Sequence, residues 1–102
     1  MNRLIEEKRE ELKQLCEQFK VHRFELFGSA ADGSFDPQTS DLDFLVDFLE
    51  LQPGEHFNAY FGLLEALQDL FQRKIDLVES KAMRNPYFIR RVNESRTSIY
   101  AA

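Results

Sequence analysis

Phe27-Gly28-Ser29 and, one connecting segment later, Ser40-Asp41-Leu42-Asp43-Phe44-Leu45-Val46 decide how this chain reads. The first is a small-residue turn at which a phosphate group can approach the backbone closely. The second sets two carboxylates two positions apart at the head of an apolar run. Successive side chains of a strand point to opposite faces, so Asp41 and Asp43 are expected on one side while Leu42, Phe44 and Val46 anchor the other. Two carboxylates held side by side favour a cation between them.

The flanking pattern supplies the rest of the architecture. Residues 23–27 predict a short strand stopping at Gly28, Ser29 to Ala31 a helical turn, and Gly33, Ser34, Asp36 and Pro37 a loop. Residues 42–49 read as a second strand. Upstream, Leu4, Ile5, Leu12, Leu15, Cys16 and Phe19 recur at helical spacing among Glu, Lys and Gln, which predicts one amphipathic helix over 2–19. Downstream, an aromatic and leucine stripe from Phe57 to Phe71 predicts a second long helix over 56–72. Lys74-Ile75-Asp76-Leu77-Val78 reads as a third strand. Asn85-Pro86 is an N-cap followed by proline at the first helical position, opening a last helix that runs to about residue 93. The order helix, strand, turn, strand, helix, strand, helix predicts an α/β (α+β) fold, a small mixed sheet packed against helices, in one domain over residues 1–102.

Composition narrows the function. The net charge of −5 is uneven: residues 1–23 carry six basic and five acidic side chains, residues 24–79 two and twelve, and residues 80–102 five and one. The acidic middle argues against nucleic acid as main ligand and suits a site that collects divalent cations. Lys81, Arg84, Arg90, Arg91 and Arg96 form a basic end, read either as a surface for an anionic ligand or partner or as a solvated helix face. The single cysteine, Cys16, is read as a core thiol. His22 and His56 lack a second ligand at zinc spacing and are read as surface or strand-flanking residues, and Asp47 as a solvated edge acid. The absence of an early apolar stretch and of any membrane-length segment points to a cytoplasmic protein.

Asp76 is a third acid inside an apolar run, costly to bury unless a partner charge or metal compensates it. If its strand neighbours the second, it faces Asp41 and Asp43, and a hard, oxygen-preferring ion such as Mg²⁺ is the natural counter-charge. Phe27-Gly28-Ser29, Asp41-Leu42-Asp43 and Ile75-Asp76-Leu77 resemble, in order and approximate spacing, the three signatures of the DNA polymerase beta-like nucleotidyltransferase superfamily. The short length, the form Gly28-Ser29-x-Ala31-x-Gly33 and the end from Asn85-Pro86-Tyr87-Phe88 through Ile99-Tyr100 look most like its minimal nucleotidyltransferase (MNT) antitoxins.

That resemblance implies a partner, a HEPN-domain ribonuclease toxin, and a reaction, transfer of AMP from ATP to a tyrosine of the toxin. It implies that Gly28 and Ser29 bind the triphosphate, that Asp41, Asp43 and Asp76 hold Mg²⁺, and that Asp76 helps accept the proton of the attacking hydroxyl. Ala30 and Asp32 depart from the family, whose members often carry basic residues there. A second reading is therefore a catalytically silent module that neutralises its partner by binding alone. Transfer to a small molecule such as an aminoglycoside would require an acceptor-holding domain that has no counterpart in these residues.

Overall fold

Alternation within the strands sorts the apolar side chains onto two faces of one sheet, and helices cover each face separately. The computed structural model describes residues 2–102. In chain order it comprises α1 (Arg3–Glu7), α2 (Arg9–Gln18), β1 (Val21–Phe27), α3 (Ser29–Asp32), β2 (Leu42–Phe48), α4 (Glu55–Phe71), β3 (Ile75–Glu79), a 3₁₀ turn (Ser80–Ala82), α5 (Pro86–Ser95) and β4 (Thr97–Ala101). The four strands lie in the order β3-β2-β1-β4. β1 is antiparallel to both β2 and β4, whereas β2 and β3 run parallel. The parallel pair needs a crossover connection, and α4 provides it.

On one face Phe24 and Leu26 of β1, Leu42, Phe44 and Val46 of β2, and Ile75 and Leu77 of β3 meet Ile5, Leu12 and Cys16 of α1 and α2 and Leu63 and Leu67 of α4. The rings of Phe24 and Phe44 stack with centroids 4.8 Å apart at its centre. Burial pushes the Cys16 thiol up to about 12, as expected of an inert core cysteine. The opposite face is smaller. Phe27 and Leu45 pack there against Val92 of α5, with Val78, Met83 and Phe88 at the margin.

Three expectations are corrected. The helix over 2–19 is two helices, because the chain tightens at Lys8, whose N–H reaches back three residues to the Ile5 carbonyl (3.1 Å). Thr97–Ala101 is an edge strand that the sequence reading leaves unassigned, and the last helix extends to Ser95 before it. Asp47 is no edge acid: β2 lies between β1 and β3, and Asp47 is half-buried with Lys81 Nζ 3.4 Å from its Oδ1. The cap of the last helix forms as expected, the Asn85 carboxamide oxygen accepting from the Tyr87 N–H at 2.9 Å.

Phe44 is fully buried and touches both Phe24 and Phe71. Phe44→Ala is expected to lower the unfolding free energy by about 3–5 kcal/mol, read from urea denaturation, because the flanking rings cannot collapse into the space left.

Candidate functional site

The parallel register of β2 and β3 sets Asp43 directly beside Asp76. Leu42 and Ile75, one position earlier in each strand, point into the large core, so both acids must point to the other face, where α5 packs. There they line a cleft of about 670 Å³ whose far wall is α5 and whose end is the turn Gly28-Ser29. The Gly28-Ser29 turn and the start of β2 thus meet in one place, joined by Asp76 of β3.

Gly28 is required in this arrangement for two reasons. Its φ of +73° and ψ of −150° lie in a region that residues with a side chain avoid. A Cβ there would also overlap the Asp43 carboxylate. Its N–H donates to Ser95 Oγ at 2.9 Å, tying the turn to the end of α5. Ser95 carries no signal in the sequence that would single it out, since its partner is 67 residues away.

Asp43 is half-buried, and its carboxyl is raised from 3.8 to about 6, first by desolvation and then by the charges of Asp76 and Asp41. Asp41 itself stands one residue before β2 and does not line the cleft; its Oδ2 lies 3.7 Å from Lys74 Nζ. The expectation that Asp41 and Asp43 project together is therefore met only in part. Among the described residues no three His, Cys, Asp or Glu side chains are gathered as a ready metal site. The donors nonetheless fit a hard cation: two adjacent carboxylates and a third near enough to raise Asp43 make an excess of negative charge that a divalent ion would offset.

The other charged residues fall into place around this core. Asp32 lines the cleft, but its Oδ1 also accepts from the N–H (2.9 Å) and hydroxyl (2.6 Å) of Ser34, which hold its carboxyl below the usual range and shape the turn after α3. Arg96 grips Glu25 through two bonds of 2.9 and 2.6 Å, joining the end of α5 to β1. His56 is exposed and paired with Glu79 on the rim of a separate cleft at the other end of β2 and β3; His22 is half-buried in β1. Neither histidine lines the acid cleft.

A model of the nucleotidyltransferase domain matches residues 8–99. The chain belongs to that family, and it is a nucleotidyltransferase. It is 35% identical over 86 residues to the "Putative protein adenylyltransferase MJ1379" of Methanocaldococcus jannaschii, an overlap covering 84% of each chain. The solved structure of a "putative minimal nucleotidyltransferase" superposes with a TM-score of 0.74 at 28% identity over 95% of both chains. A tri-AMPylated Shewanella oneidensis HEPN toxin in complex with MNT antitoxin gives 0.64 at 16% identity, over 95% of this chain and 72% of the other, a likeness of fold alone. No helix among the described residues is long and apolar enough to cross a membrane.

Two measurements check this geometry. Gly28→Ala is expected to cost about 1–3 kcal/mol of stability in urea denaturation, from the backbone conformation before the overlap with Asp43 is counted. Asp43 binds its proton near pH 6 when folded and near 3.8 when unfolded, so stability without metal is expected to fall as pH rises from about 4 to about 6. In EDTA, Asp43→Asn should melt higher than wild type at pH 8 and lose that advantage by pH 4.

Proposed function

We propose that residues 1–102 form one nucleotidyltransferase unit that transfers AMP from ATP to a tyrosine hydroxyl of a partner HEPN-domain ribonuclease, acting as the antitoxin of that pair in the cytoplasm. The observation that carries this reading is the meeting of Asp43, Asp76 and the Gly28-Ser29 turn in one cleft. It is supported by the relative named as a protein adenylyltransferase and by the fold shared with an antitoxin bound to an AMPylated toxin.

Gly28, lacking a side chain, lets the phosphate chain approach the backbone, and the Ser29 hydroxyl donates to a phosphate oxygen. Asp43 and Asp76, with Asp41 drawn off Lys74, are the residues that would hold Mg²⁺. Bound there, the ion would offset the carboxylates and stabilise the entering and leaving oxygens of an in-line displacement at the α-phosphorus. Asp76 is exposed at the cleft, where it can accept the proton of the incoming tyrosine hydroxyl. The tyrosine oxygen forms the new bond to phosphorus, the bond to the bridging oxygen breaks, and pyrophosphate leaves. The chain mainly positions charge, and a protein acceptor brings its own docking surface.

A second reading, neutralisation of the partner by binding alone, is favoured by the Lys74–Asp41 pair and by the acid at Asp32 on the cleft. One experiment decides between them. Incubated with labelled ATP, Mg²⁺ and the toxin it binds, wild-type protein is expected to label the toxin, and EDTA to abolish the label. Asp43→Asn should lower labelling at least about a hundredfold, on the scale of lost transition-state charge stabilisation, and should fail to neutralise the toxin. An Asp43→Asn protein that still neutralises as well as wild type would leave binding as the mechanism.

A further inference from the structure

The charged groups lining the cleft that is to receive a triphosphate are mostly of the wrong sign. Asp32, Asp43, Asp76 and Glu94 all contribute to its wall, and the stretch after Gly28-Ser29 brings no cation. Metal ions would answer Asp43 and Asp76, but Asp32 and Glu94 still oppose the phosphates. Among the lining residues one side chain carries the opposite charge, Arg91 of α5.

Arg91 is placed there by the helix face it shares. Phe88, Arg91, Val92 and Ser95 recur at spacings of three and four, so they lie along one side of α5, and all four line the cleft. Phe88 and Val92 anchor that side in the smaller core, the Phe88 ring meeting Phe27 edge-on with centroids 6.0 Å apart. Ser95 closes the stripe by accepting the Gly28 N–H at 2.9 Å. Arg91 is itself exposed, but its place on α5 is set by the neighbouring packing contacts of Phe88 and Val92, on a helix hydrogen-bonded to the Gly28 turn. Its guanidinium makes no ion pair with any described residue, although Glu25, Asp41 and Asp47 are each paired with a cation. Arg84 and Arg96, also on the basic end of the chain, are taken up by the Lys81 and Met83 carbonyls and by Glu25.

From this geometry we infer that Arg91 is a nucleotide-binding residue that grips the β- and γ-phosphates of the donor, so that the C-terminal helix supplies the cation missing beside Gly28-Ser29. The inference rests on the nucleotidyl-transfer reading above and adds to it a preference: the ligand of this cleft is a nucleoside triphosphate in preference to a monophosphate. A planar guanidinium suits this task because two parallel N–H groups meet two phosphate oxygens at once. Arg90, its exposed neighbour, lies outside the cleft lining and is the internal control.

The test is titration calorimetry of the whole chain with Mg²⁺-ATP and with AMP, for wild type, Arg91→Ala, Arg91→Lys and Arg90→Ala, with thermal melts to show that each variant is folded. Arg91→Ala is expected to weaken ATP binding roughly ten- to a hundredfold, as for loss of hydrogen bonds to a charged group, and to change AMP binding less than about twofold by the same reasoning. Arg91→Lys should recover part of the loss, and Arg90→Ala should match wild type. Wild-type ATP affinity retained in Arg91→Ala, or equal losses for ATP and AMP, overturns the role of Arg91 and leaves nucleotidyl transfer standing. Failure of wild type itself to bind Mg²⁺-ATP overturns both.

Discussion

Two like charges on neighbouring strands set the terms for this molecule. Pairing β2 with β3 in parallel brings Asp43 and Asp76 to the same level on the same face, and the main-chain hydrogen bonds fix this register. Partial burial first, and then this repulsion, raise the proton affinity of Asp43. A sheet does not keep such a pair for stability, since an apolar or amide side chain at either position would pack at lower cost. The divalent ion proposed above would offset that repulsion, and on that reading the fold is linked to the chemistry.

The two faces of the sheet divide the labour. The face toward α1, α2 and α4 buries nearly all the large apolar side chains and holds the strands in place. The face toward α5 holds a smaller apolar cluster of Phe27, Leu45 and Val92, with Val78, Met83 and Phe88 at its margin, and opens beside it into the cleft. A rigid core behind and a sparse one in front leave the acidic side chains of the cleft accessible without loss of their positions. α5 is the element that makes the front usable. It is tied to the turn by Ser95 and Gly28 and followed at once by Arg96 on Glu25, and it carries a charge of the sign the cleft otherwise lacks.

The edge strand β4 also depends on this linkage. Thr97–Ala101 follows α5 directly and adds to the outer side of β1, while Ile99 and Tyr100 pack on the margin of the large core. Its five residues have no strong apolar alternation of their own. What makes them a strand is the open edge of β1, available because β2 and β3 occupy the other side.

By itself the sequence determined the mixed sheet, the two core-facing helical stripes and the glycine turn, because each is written in short-range periodicity or, at Gly28, in a backbone conformation that other residues avoid. The cap at Asn85-Pro86 was legible for the same reason. Only the tertiary structure decided which acids meet. Spacing set Asp41 beside Asp43, with Asp76 facing them only if the strands were neighbours; the parallel register puts Asp43 level with Asp76, while Asp41, one residue before β2 and 3.7 Å from Lys74, stands off the cleft. Tertiary packing also put Asp47 on a central strand beside Lys81, broke the first helix at Lys8, turned Thr97–Ala101 into β4, and brought Ser95 and Arg91 to a turn more than sixty positions away. Local pattern records which face a side chain takes, but proximity across strands and layers is settled by register and by which surfaces are left to bury, and neither is a property of any short stretch.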